Sequence, residues 1–163
     1  MRSLQEFNKI LEKVGSWGTI FFMAVIAVVI PYEVIGRYVF RSMSTWSGEV
    51  STYSLAWASM LGGAVGLKKG YQINMDSVVN AVLPDIARLL KLIAYLFTLF
   101  FFGALFYYGL YQAVYNSRQF SPAMELVMSV PYAALPAGFF IMFFFSLEEF
   151  LLFLGLGAKR QRP

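Results

Sequence analysis

Charged positions divide this chain into segments. Between them lie four long uncharged stretches, Val14–Tyr32, Val50–Leu67, Leu92–Ser117 and Leu126–Leu147, which run from 18 to 26 residues. Each matches the roughly 20 apolar residues needed to cross a hydrocarbon core of about 30 Å. Backbone polar groups inside lipid must pair internally. Runs such as FFMAVIAVVI and LFTLFFFGALF do not alternate as a barrel strand would, so each stretch reads as a helix. With flanks included, the pattern predicts membrane spans over about 15–38, 47–67, 89–116 and 130–156. Together they form a single all-α membrane domain covering 1–163.

Two further segments are amphipathic. In the leader, Leu4, Phe7, Ile10, Leu11 and Val14 share a helical face, with Arg2, Glu6, Lys9, Glu12 and Lys13 largely off it. The spacing predicts an interfacial helix over about 3–13, lying in the headgroup plane and leading into the first span at Gly15–Trp17. The leader is long and mixed in charge, and no small-residue cleavage site follows, so it does not read as a secretory signal. Between spans two and three, Ile73, Val78, Val79, Val82 and Leu83 predict a second interfacial helix over about 73–83, ended by Pro84. The third connection, YNSRQFSPAMELVMSVPYAALP, holds three prolines and predicts a bent, partly re-entrant segment.

Charge orients the spans. The leader, second connection and tail carry ten Lys and Arg, and the first and third connections carry three (Arg37, Arg41 and Arg118). Basic residues favour the cytoplasmic side, so both termini and the second connection are expected there. Trp17, Tyr38, Trp46, Tyr107, Tyr108, Tyr111, Tyr115 and Tyr132 sit where aromatic belts form at membrane interfaces.

Composition agrees with lipid as the main solvent: 59% of residues are hydrophobic and only 13% charged, against about 25% charged in soluble domains. Cys and His are absent. That removes thiol nucleophiles, Cys/His zinc sites, His-ligated haem and Ser-His catalysis. There is no phosphate-binding loop or dinucleotide fingerprint, and the modest net charge of +4 reports orientation rather than nucleic-acid binding. No cofactor, no metal and no enzymatic activity are expected.

Ionisable residues at span ends are the remaining candidates, since burying them unpaired is expensive. Glu33 and Arg37 lie one turn apart, in reach of an ion pair. Glu49 opens span two and is expected to reach Arg37 across the short loop. This corner, with Tyr38 and Trp46, reads as a tie between spans one and two; the other reading makes Glu33 a proton- or cation-binding carboxylate. Glu148 and Glu149 near the inner end of span four lie too far from Lys159 and Arg160 for helical pairing. They read either as a subunit contact or as a solvated helix end. Ser54, Ala58, Gly62 and Gly66 strip one face of span two to small residues, allowing close approach of another helix of this chain or of a partner subunit. Phe100–Phe102 and Phe143–Phe145 read as lipid- or partner-facing bulk.

Ile35 to Pro84 resembles the signature region of the small membrane subunit of TRAP (tripartite ATP-independent periplasmic) transporters. The resemblance is carried in order by Arg37-Tyr38, Trp46 and Glu49, Trp57, Gly62-Gly63, Lys69-Gly70, Ile73, Asp76 and Leu83-Pro84, and later by VPYAALPAG, Val130 to Gly138. Two positions depart from the family pattern. Gly48 precedes Glu49 where adjacent acidic residues are common, and Gln72 stands where the family has His. The resemblance implies a subunit of the bacterial inner membrane without a substrate site of its own. It would act as a scaffold for a large membrane subunit that holds sodium and substrate sites, and would help dock a periplasmic protein that captures an organic acid. Phospholipids would be its other partners. From another class, a self-contained four-helix multidrug-type transporter using Glu33 is the alternative; a membrane enzyme subunit or quinone anchor is weakened by the absence of His.

Overall fold

The computed structural model describes residues 2–41, 45–70 and 84–155. Four long helices account for most of them: α1 (Arg2–Tyr38), α2 (Thr45–Lys69), α3 (Pro84–Tyr115) and α4 (Ala134–Phe153). A one-turn helix, Ser129–Tyr132, runs almost directly into α4. The protein is an all-α membrane protein. The segments 3–38, 86–118 and 129–153 are long and apolar enough to cross a membrane. α2 has comparable length, 25 residues. Its Ser, Thr and Gly lower its hydropathy, and it lies between two neighbouring helices. The interfacial helix expected over 73–83 lies outside the described residues.

One expectation is corrected at the start of the chain. The leader is not a separate helix in the headgroup plane; it continues into the first span as a single 37-residue helix. At 1.5 Å per residue, α1 is about 55 Å long, well beyond the hydrocarbon thickness. Periodicity alone does not separate the two outcomes, because an interfacial helix and a packed one present the same apolar face. Pro31 sits within α1, where the absence of its N–H is tolerated without ending the helix.

The long helices form a row in the order α1, α2, α4, α3. α2 packs against both α1 and α4, and of the long helices α3 packs only on α4. α1 and α2 run antiparallel with matched small and large positions. A Cβ on Gly15 would lie 3.0 Å from Val65, and one on Gly18 would lie 2.6 Å from Leu61. Further along, Gly62 faces Thr19, Phe22 stacks on Trp57 at 5.6 Å, and Tyr32 stacks on Trp46 at 5.7 Å. On its other side α2 meets α4, where Gly138 is pressed against Met60 and Gly63 against Met142. Small residues substitute for hydrophobic driving force here, since lipid tails are as apolar as the side chains and close approach supplies the dispersion contacts.

The core is correspondingly small: Leu61 and Ala64 of α2 with Ile141 and Phe145 of α4, flanked by Leu11, Phe22, Trp57 and Met142. Phe145 is 1% exposed, which corrects the reading of Phe143–Phe145 as outward-facing bulk. Phe100 and Phe101 on α3 are exposed as expected.

The connection from α3 to α4 is compact. A 3-10 turn, Asn116–Arg118, is followed by an antiparallel bridge between Phe120 and Val127. Hydrogen bonds from Ser121 N to Leu126 O (2.8 Å) and from Met128 N to Gln119 O (2.9 Å) close a small hairpin-like turn. Glu125 takes a positive φ of 52° at its tip. At the far end of the row, Gly155 (φ 78°) ends α4 by donating to Leu152 O.

Candidate functional site

Polar chemistry is concentrated at the two ends of the row, here the two levels at which its helices begin and end rather than its α1 and α3 flanks. At one end, the first half of α2 presents Glu49, Tyr53 and Trp57 at intervals of four, on one helical face. That face holds the α3–α4 connection. The Glu49 carboxylate accepts hydrogen bonds from the Ser121 hydroxyl (2.5 Å) and from the backbone N–H groups of Ala123 (3.0 Å) and Met124 (3.1 Å). Tyr53 donates its hydroxyl to the Met128 sulfur at 3.4 Å, and the Trp57 indole N–H donates to Val130 O at 3.2 Å. Hydrogen bonds to an ionised acceptor are about twice as strong as neutral ones, so Glu49 is the strongest of the three grips. Ser121 is buried beneath it.

This overturns the expected corner of Glu33, Arg37 and Glu49. Glu33 and Arg37 do pair, Nη2 to Oε1 at 3.1 Å, with side chains 26% and 51% exposed. Glu49 lies elsewhere, on the turn at 121–124. Trp46 belongs to neither group and stacks on Tyr32. Tyr38 is highly exposed, as an interfacial aromatic would be. Glu33 therefore sits on an open helix flank beside Arg37 rather than in an interior cavity.

The opposite end holds the buried cluster. Glu148 is neither a solvated helix end nor an open subunit contact. It is 4% exposed and forms an ion pair with Lys68 at the end of α2, both side chains being almost fully buried. The fully buried Asn8 of α1 donates its amide to Glu148 Oε2 at 2.6 Å and to the Phe144 carbonyl at 3.1 Å. Lys68 also lies 5.0 Å above the centre of the Phe145 ring, a favourable place for a desolvated ammonium. Three helices thus meet on one carboxylate. Neither partner was legible in sequence, since Asn8 and Lys68 lie 140 and 80 positions from Glu148; the available signal was an Asn on the apolar face of an amphipathic leader. Glu149 lines a cavity of about 380 Å³ with Lys68, Ser146 and the aromatic residues Tyr95, Phe97 and Phe101.

The small-residue stripe resolves mostly as packing within the chain. Ser54 and Ala58 are buried, and Gly62 faces Thr19 of α1. A Cβ on Gly66 would meet nothing within 4 Å. Among the described residues, no group of three or more acidic residues could hold a metal ion.

Comparison with known proteins places this architecture. The family described as tripartite ATP-independent periplasmic transporters, DctQ component, matches residues 26–155, about four fifths of the chain. A protein of Haemophilus influenzae described as a TRAP transporter small permease protein is 27% identical over 135 residues, covering 82% of this chain and 81% of that protein. The C4-dicarboxylate TRAP transporter small permease protein DctQ of Vibrio cholerae is 28% identical over 74 residues, 45% of this chain. That match spans about a third (32%) of the Vibrio protein's length. The chain belongs to the DctQ component family of the tripartite ATP-independent periplasmic transporters, and is a small permease subunit of a membrane transporter, not an enzyme.

Proposed function

We propose that this subunit is the static scaffold of a sodium-coupled secondary transporter that takes up an organic acid in the bacterial inner membrane. A large membrane subunit carries the sodium and substrate sites, and a periplasmic binding protein delivers the substrate. One observation supports the scaffold role above all. The carboxylates held within the fold are already engaged by groups of this chain, Glu49 by the 121–124 turn and Glu148 by Lys68 and Asn8. Neither resembles a carboxylate kept available for a coupling ion, which would need a wet or cation-accessible position. The row supports it too: α1 and α3 leave most of their apolar surface open for lateral contact with a larger subunit or with lipid.

Both termini are assigned to the cytoplasm. Arg37 and Arg118 lie toward the Glu49 end of the row, and Lys9, Lys13, Lys68, Lys69, Arg88 and Lys91 toward the Glu148 end, following the positive-inside bias. The Glu49 end is then periplasmic, where the α3–α4 turn is available to the binding protein. The Vibrio relative's name supports an organic acid as the substrate class.

Reconstitution tests this reading. The chain alone in proteoliposomes is expected to give background uptake, with sodium-driven transport requiring the large subunit and the binding protein. Robust uptake by the purified chain would overturn it and return Glu33 to consideration as a coupling carboxylate. Cysteine labelling at Ser3 and Gln161 tests the topology: both should be protected from impermeant reagents in intact cells.

A further inference from the structure

We infer that the cavity over the C-terminal half of α4 is a binding site for one phospholipid with a primary ammonium headgroup, of the phosphatidylethanolamine type. α2 and α3 each pack on α4 and, among the described residues, not on each other. The gap between them therefore has α4 as its floor. Where α2 ends, this gap holds a cavity of about 380 Å³, within the roughly 300–1,000 Å³ typical of ligand sites. Its α3 wall is fixed in place: Tyr95 packs on Phe150 and Phe153 at 6.1 and 5.4 Å, and Phe102 on Phe139 at 6.2 Å.

The lining changes character with depth. Lys68 and Glu149 stand toward the helix ends, with Tyr95 on the α3 side. The hydroxyl residues Thr98 and Ser146 come next, and Phe102 and Phe145 lie farther in. Along α4 one turn separates Glu149 from Phe145, and along α3 two turns separate Tyr95 from Phe102. The aromatic part is thus about 6–10 Å deeper in the membrane than the charged part. A phospholipid has the same order: charged headgroup outermost, ester oxygens next, hydrocarbon innermost.

Charge selects the headgroup. The Lys68 ammonium is matched by Glu148, both side chains being almost fully buried. Glu149 adds a second carboxylate on the cavity side and is part-exposed. The charged lining, with Glu148 behind it, therefore carries one cation and two carboxylates. A cleft built for an anionic lipid would be basic instead. A primary ammonium donates up to three hydrogen bonds, and those to a carboxylate are strong because both partners are ionised. A choline headgroup has no N–H to donate. Lys91, one turn before Tyr95 on the same face of α3, places a cation at the rim for the lipid phosphate. The inference does not rest on the scaffold reading, nor on which side of the membrane this end faces.

Native mass spectrometry of the full chain tests it, with phosphatidylethanolamine, phosphatidylglycerol and phosphatidylcholine supplied in equal amounts in detergent. One phosphatidylethanolamine should be retained in preference to the other two lipids. Glu149→Gln should lower its occupancy on the order of tenfold. Thr98→Trp fills the cavity from α3 without touching a charge and should also abolish the retention; it keeps the test decisive if Glu149→Gln fails to fold. Glu6→Gln removes a carboxylate at the same end of the row, paired with Lys9 on an exposed flank of α1, and should leave the retention unchanged. Equal retention of all three lipids, or of none, would overturn the site. So would a preference for phosphatidylglycerol, or a phosphatidylethanolamine preference that survives Glu149→Gln or Thr98→Trp in folded protein.

Discussion

The two ends of the row each hold a buried or half-buried carboxylate, and they hold it in different ways. Glu49 is bound by one hydroxyl and two backbone N–H groups of a single turn; no cation is among these partners. Glu148 is bound by an ammonium and an amide from two other helices. The first arrangement ties a helix to a loop, and its failure loosens only that loop. The second ties three helices together, and its failure leaves a charge in the interior. The same residue type therefore serves local shape at one end and global assembly at the other, and the difference lies in what surrounds the carboxylate.

That contrast is broken most sharply at Glu148. Glu148→Ala strands Lys68, and removing one partner of a buried pair costs about 3–5 kcal/mol. The detergent-solubilised chain should unfold at distinctly lower temperature or denaturant concentration. Replacing both, Lys68→Met with Glu148→Met, should recover most of the loss, since an apolar pair of similar volume is often neutral or better. If the single and double variants were equally destabilised, the cluster would be contributing packing and not charge balance.

Between the ends, where no carboxylate intervenes, small-residue packing should dominate. Gly138→Ala places a Cβ 2.8 Å from Met60 Cβ and 3.2 Å from the Met60 backbone oxygen. The backbone atom cannot move aside as a flexible side-chain tip would, so a loss of about 1–3 kcal/mol is expected in the same unfolding measurement. An unaffected Gly138→Ala would show that α2 and α4 separate more easily than their contact implies.

At the other end, Glu49→Gln retains an acceptor but loses its charge and adds a donor facing the Ser121 hydroxyl and two N–H groups. Amide exchange at Ala123 and Met124 should quicken, on the order of tenfold, with little change in α1 or in the global unfolding midpoint. A large global loss would mean that the turn is not local but part of the assembly, and would erase the distinction between the two ends.

The helices were legible from the chain because charge-free length is a sufficient signal when the solvent is lipid. Glu33–Arg37 was legible for a related reason: a one-turn pair is set by helix geometry alone. The partners of Glu49 and Glu148 were not, because contacts across 72 to 140 positions depend on which helices become neighbours, and a row and a closed bundle share one hydropathy pattern. Phe145 was misjudged by composition: three consecutive phenylalanines point in three directions, and only the position of α2 decides that one of them enters the core. The leader's spacing carries its amphipathic character but does not separate a surface-bound helix from one continuous with the first span, since an apolar face does not reveal that Asn8 finds a carboxylate opposite.

The smallest expected effect concerns the pair that sequence reasoning made central. Glu33 and Arg37 are an exposed one-turn pair whose side chains retain 26% and 51% of their accessibility. Such pairs are screened by water and salt and contribute about 0.2–1 kcal/mol. Arg37→Ala strands no buried charge of this chain, because Glu33 is part-exposed on the helix flank and Glu49 has its own partners. The variant chain should therefore unfold within about 1 kcal/mol of the parent, and added salt should shrink even that difference. Arg37 also stands beside the highly exposed Tyr38 at the end of α1, on the same side as the 121–124 turn. A role in partner contact would leave the isolated chain's stability unchanged and appear only as weaker capture by the assembled transporter. Measuring both quantities on one variant separates the two. A loss of several kcal/mol in the isolated chain would show that Arg37 reaches an interior carboxylate after all, and that the two ends of the row are more alike than their geometry indicates.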